Sequence, residues 1–164
     1  MPANGKFLLD TNVIIALLEG DDAVLSNLDQ APEVFIPAVA LGELFFGAAK
    51  SGRPVENTDR VERFAAGRAI VACDLEVARE YGRLKQDLKA RGRPLPENDI
   101  CIAAAAKRHG LVLVTRDRHF QSSSGFAHCG LGSSSLAPAT ARVEKRLRNK
   151  TGHPRAPQYT GGHK

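Results

Sequence analysis

The chain has 164 residues, enough for one domain with a sizeable core and cramped for two. At 43% hydrophobic and 25% charged, with no apolar run near the roughly 20 residues of a membrane span, it excludes collagenous, fully disordered and integral-membrane readings. Its net charge of +5 is uneven: residues 1–121 hold 16 Lys and Arg against 17 Asp and Glu, whereas residues 122–164 hold 7 against 1, so the basicity belongs to the C-terminal segment.

The first ten residues carry one Lys and a three-residue apolar run before Asp10, too short for the apolar core of a signal peptide, so a cytoplasmic protein is expected. Lys6 to Leu9 predicts a short apolar strand, and Thr11 to Glu19, apolar nearly all round and closed by Gly20, predicts a buried helix. A helix over Asp21 to Gln30 follows, then a strand at Val34 to Ile36 stopped by Pro37. Ala38 to Lys50 and Val55 to Ala66 predict two further helices, and Ile70 to Ala72 a third strand. Leu75 to Arg91 places Val77, Ala78, Tyr81, Leu84 and Leu88 on one helical stripe. The Pro-rich loop 93–98 leads into an Ala-rich helix from Asp99 to His109, and Leu111 to Val114 is a fourth strand. Strands separated by helices require crossover connections, hence an α/β fold with a parallel sheet covered by helices. After Gln121 the composition turns to Ser, Gly, Pro and basic residues. The expected organisation is a folded domain over 1–121 and a disordered basic tail over 122–164.

In open parallel sheets ligands collect beyond the carboxyl ends of the strands. Asp10 follows the first strand and Asp117 lies just past the fourth, although an Asp in such a place also serves as a turn former or N-cap. Glu43 sits among Ala40, Val39, Phe46 and Gly47 at helical spacing, with no polar face of its own. Unless it lies on a partly exposed ridge, a carboxylate there must pair with a cation, be protonated or ligate a metal. Asp99 opens the Ala-rich helix, where an acid also complements the helix dipole. Four acids from four segments form an oxygen-rich set that suits Mg²⁺ or Mn²⁺. Zinc is disfavoured, because the five His are scattered and Cys73, Cys101 and Cys129 form no Cys-x-x-Cys pair and read as reduced thiols. Aromatic residues, at 5% with no Trp, are too sparse for a base-stacking platform.

Four blocks of the sequence, Phe7-Leu8-Leu9-Asp10-Thr11-Asn12-Val13, Pro37 to Leu44, Pro96 to Ala104 and Leu113 to Phe120, resemble in order the signature blocks of PIN-domain ribonucleases, and the compact length resembles VapC-type toxins of toxin–antitoxin pairs. The resemblance covers residues 6–121. It implies that Asp10, Glu43, Asp99 and Asp117 form the catalytic metal site, with Thr11, Asn12 and Thr115 at polar positions beside it. It further implies a PIN-like sheet of order 3-2-1-4-5, Mg²⁺ or Mn²⁺ dependence, RNA cleavage, homodimerisation and a VapB-like antitoxin partner. The chain departs from the family after residue 121, where relatives continue into a last edge strand. This favours, as the alternative function, a catalytically impaired PIN-like protein that only binds an antitoxin or another protein. An aspartate-nucleophile phosphatase also begins with an acid after the first strand, but Asn12 occupies the place of its second Asp. Arg116, Arg118 and His119, and separately Lys89, Arg91 and Arg93, are candidates for holding an RNA backbone.

Overall fold

The computed structural model describes residues 5–29, 31, 33–117 and 120, and the backbone of 128–130. Strand β1 (Lys6–Leu9) is central in the sheet. Phe7, Leu8 and Leu9 are all buried, as expected of a strand covered on both faces and therefore reading as a continuous apolar run. Asp10 then caps α1 (Thr11–Glu19), accepting the Thr11 N–H, and Gly20 at φ 85° turns the chain left-handed into α2 (Asp22–Leu28). The chain continues through β2 (Glu33–Pro37), α3 (Ala38–Ala49), α4 (Pro54–Ala65), β3 (Ala69–Val71), α5 (Leu75–Ala90), α6 (Glu97–Arg108) and β4 (Val112–Thr115) to β5 (His128–Gly130).

The strands pair in parallel in the order β3-β2-β1-β4-β5, the order implied by the family resemblance, with Leu8 opposite Phe35 on one side and Leu113 on the other. Parallel pairing needs crossover connections, and between the first four strands the helices supply them. The core centres on β1, β4 and the inner faces of α1 and α6, where Leu8, Ile14, Ile102, Ala104 and Leu113 are inaccessible to solvent. Ala103, Ala104, Ala105 and Ala106 of α6 are all buried, which fits its Ala-rich composition. Helix α5 packs mainly on α6, and Glu80 of α5 faces Lys107 Nζ of α6 at 2.6 Å.

Two expectations need correction. Residues 128–130, assigned by composition to the disordered tail, pair with β4 through Leu113↔His128 and Thr115↔Gly130, so the edge strand is present and the boundary at 121 falls short. Backbone pairing needs no distinctive side chains, and composition is blind to it. The rest of the tail, 122–127 and 131–164, lies outside the described residues. Helix α6 begins at Glu97 instead of Asp99, with Pro96 as its N-cap residue, so Asp99 stands in the first turn. The apolar composition of α3 does not reflect full burial: Phe46 is 65% exposed, its ring partly covered by the Lys50 ammonium 4.8 Å from its centre, and Phe45 is also exposed. Among the described residues, no helix is long and apolar enough to cross a membrane.

Candidate active site

Asp10 is the hub of the carboxyl edge of the sheet. Its backbone N–H donates to Val114 O at 2.9 Å, joining the end of β1 to β4, while its carbonyl accepts the Val13 and Ile14 N–H groups of α1. The side chain is almost fully buried and receives three donors. Thr11 N donates to Oδ1 at 2.7 Å, and Asn12 Nδ2 and the Thr115 hydroxyl donate to Oδ2 at 2.7 and 2.6 Å. Burial pushes its pKa up; the bonds from Thr115 and Thr11 oppose this, and the charges of Asp117 and Glu43 push the same way as burial. Two of the other acids thus act on Asp10 through space.

Glu43 projects from the second turn of α3 and is half-buried. It does not stand unpartnered in an apolar environment, as its helix neighbours suggest. The Thr11 hydroxyl donates to its Oε2, and Asn98 Nδ2 of α6 donates to Oε1 at 2.8 Å. Neutral donors from two other elements therefore satisfy both oxygens. Asp99, also half-buried, follows Asn98 in the first turn of α6. Asp117 lies two residues past β4, and its N–H donates to the Thr115 hydroxyl at 3.0 Å, so a single buried hydroxyl links the Asp117 segment to Asp10.

The arrangement is a chain of hydrogen bonds running from Asp117 through Thr115, Asp10, Thr11 and Glu43 to Asn98, drawn from β4, β1, α1, α3 and α6. Every ligating atom it presents is oxygen, the chemistry of a hard divalent cation. Among the described residues, no three Asp, Glu, His or Cys side chains stand close enough to hold one ion as they are arranged. Like charges keep their distance when neutral donors satisfy each carboxylate separately. The oxygen-only donor set fits a hard cation.

Arg116, which the sequence offers as an RNA contact, is ion-paired in the fold. Its guanidinium meets Asp21 Oδ2 at 2.5 Å, and its backbone N–H donates to Asn12 Oδ1 at 3.2 Å. The Arg116 hydrogen bond holds the Asp21 carboxyl below its ordinary range. Arg91 pairs with Asp87 at 2.9 Å within α5 and its C-terminal cap, Lys89 is exposed, and Arg118 and His119 lie outside the described residues. Sequence reasoning missed Asn98 and Asp21. A first-turn position beside Asp99 marks Asn98 as a neighbour of the site, but no sequence signal links it to Glu43, 55 residues away.

The PIN domain family model matches residues 7–124. Ribonuclease VapC2 of Haemophilus influenzae is 34% identical over 119 residues, 71% of this chain and 90% of that protein. The tRNA(fMet)-specific endonuclease VapC of Shigella flexneri is 34% identical over 124 residues, 73% of this chain and 93% of its own length. Among solved structures, the DNA-bound VapBC of Salmonella typhimurium superposes with a TM-score of 0.72 at 29% identity, covering 77% of this chain and 98% of that one.

Proposed function

The chain belongs to the PIN-domain family and, within it, to the VapC ribonuclease toxins of toxin–antitoxin systems, and from that premise we propose that it is a Mg²⁺- or Mn²⁺-dependent endoribonuclease whose metal site is Asp10, Glu43, Asp99 and Asp117. The observation that carries this reading is the continuous hydrogen-bond chain that links Asp117, Asp10 and Glu43 through Thr115 and Thr11, all with oxygen ligands, at the carboxyl edge of the sheet. A divalent ion bound there supplies Lewis-acid polarisation of the phosphoryl oxygen and neutralises charge that develops during hydrolysis.

The chain's own residues do the rest. Thr11 and Asn98 fix the two oxygens of Glu43, and Thr115, Asn12 and Thr11 N fix those of Asp10, so the carboxylates are oriented before an ion arrives. The hydroxyls of Thr11 and Thr115 already donate to carboxylates, which leaves them in positioning roles and assigns the attack on the phosphodiester to water. Exposed Phe46 and Val55, on α3 and α4, support a protein partner, and by the family's pattern that partner is a VapB-like antitoxin, with homodimerisation of the chain.

The test is cleavage of RNA by the purified chain with Mg²⁺ or Mn²⁺, with EDTA, and in Asp10→Asn and Glu43→Gln variants whose folding is checked by circular dichroism. Cleavage that needs the ion and disappears in both variants is the expected result. Cleavage that survives EDTA or Asp10→Asn removes the metal-site reading. A folded chain that binds an antitoxin and cleaves nothing establishes the impaired alternative, which rested on a missing edge strand; the pairing of β5 with β4 weakens that ground.

A further inference from the structure

We propose that Asp21 and Arg116 are a positioning pair whose contact anchors the segment bearing Asp117 to the α1–α2 junction, so that Arg116 places a site carboxylate instead of gripping RNA. The inference deepens the nuclease reading and rests on it for its kinetic consequences.

Asp21 is itself firmly held. Its backbone N–H donates to Ala16 O at 2.9 Å, and its carbonyl accepts from Leu25 N at 3.0 Å. Its Oδ1 caps α2 by accepting from Ala23 N and Val24 N at 3.0 and 3.2 Å, which leaves Oδ2 for the Arg116 guanidinium at 2.5 Å. One carboxylate thus serves a helix N-terminus with one oxygen and, with the other, a residue 95 positions away. On the other side, three consecutive residues are each tied down. Thr115 donates to Asp10, Arg116 N to Asn12 Oδ1 at 3.2 Å, and Asp117 N to the Thr115 hydroxyl.

Both side chains are about one-third exposed, at 34% for Arg116 and 31% for Asp21. A pair that open to water adds little global stability, so its consequence is local: it limits where Asp117 can sit. An RNA phosphate approaching Arg116 would meet a guanidinium whose charge already faces a carboxylate at 2.5 Å.

Asp21→Asn separates the two jobs of this residue, because Asn caps a helix about as well as Asp but carries no charge for Arg116. The measurements are kcat and KM for RNA cleavage in Asp21→Asn, Arg116→Gln and the double variant, with exposed Asp22→Asn as control, together with amide hydrogen exchange at residues 115–117 in ion-free protein. A positioning pair predicts that each single variant loses about tenfold or more in kcat with KM unchanged within about twofold, since small misplacement of a reacting-site group is costly. The double variant should be no worse than either single, and exchange at Arg116 and Asp117 should quicken in both. An RNA-gripping Arg116 predicts the reverse, a raised KM in Arg116→Gln and a lowered KM in Asp21→Asn, and overturns the proposal. If the wild-type chain cleaves no RNA, the nuclease reading fails on its own, and exchange at 115–117 decides the pair: unaltered exchange in Asp21→Asn refutes it. Should Arg116→Gln fail to fold, Asp21→Asn and Arg116→Lys carry the same comparison.

Discussion

Replacing Thr115 by Val keeps the β-branched shape at a position only 1% exposed and removes one oxygen. That oxygen donates to the Asp10 carboxylate at 2.6 Å and accepts the Asp117 N–H at 3.0 Å. A hydrogen bond to a charged group contributes about 1.5–3 kcal/mol, and an orphaned buried donor costs about 1–3 kcal/mol. Asp117 is half-buried, so water relieves part of the second loss, and the expected destabilisation is about 2–4 kcal/mol with no cavity term. At a urea m value of about 2 kcal/mol/M this moves the midpoint down by about 1–2 M. The chain has no Trp, so unfolding is best followed by far-ultraviolet circular dichroism in ion-free buffer. Thr115→Ser, which keeps the hydroxyl and loses a methyl, should fall between wild type and Val. The pH dependence has a definite sign. Burial raises the Asp10 pKa and the Thr115 bond opposes that rise, so removing the bond penalises the ionised form. The Thr115→Val penalty is therefore larger at pH 7 than at a pH below the folded pKa of Asp10, where the carboxyl is protonated. A Val variant within about 0.5 kcal/mol of wild type at pH 7, or a Ser variant less stable than Val, would refute the hydroxyl's linking role, since such small changes are typical of inert surface sites.

Glu80, held by Lys107 at 2.6 Å, has its pKa lowered from 4.5 chiefly by that contact. Its stabilisation is present above the ordinary carboxyl range and lost as pH falls through the depressed folded value. Glu80→Gln should therefore cost stability in thermal melts at pH 7 and converge with wild type in acid. Burial pushes the Cys101 thiol up to about 11, while Cys73 is exposed. Mass spectrometry after brief iodoacetamide treatment at pH 8 should find Cys73 alkylated well ahead of Cys101, and equal labelling would contradict the burial of Cys101. Truncation after Gln121 removes β5 and exposes the β4 edge, so that chain should melt lower than one ending after Gly130. Equal melting temperatures would show that the β5 pairing contributes nothing.

The strands, the helices and their parallel arrangement follow from patterns that act within about twenty residues. Apolar run length made β1 and β4 visible, and the stripe from Val77 to Leu88 marked α5, because burial periodicity is written locally. Asp10 and Glu43 stood out for a similar reason, as charges where the local pattern calls for apolar or turn residues. What surrounds those charges was beyond such reasoning. Glu43 owes its satisfied oxygens to Thr11 and Asn98, 32 and 55 residues away, and Arg116 owes its partner to the α1–α2 turn. Exposure of Phe46 likewise depends on which elements fail to cover α3, and β5 is held by backbone pairing to β4 that composition does not record. Residue types and their spacing determined which groups had to be buried and which acids needed an explanation. Which donors reach those acids was decided only by tertiary structure, because a hydrogen bond depends on positions to a fraction of an ångström, and those positions follow from how the whole chain packs.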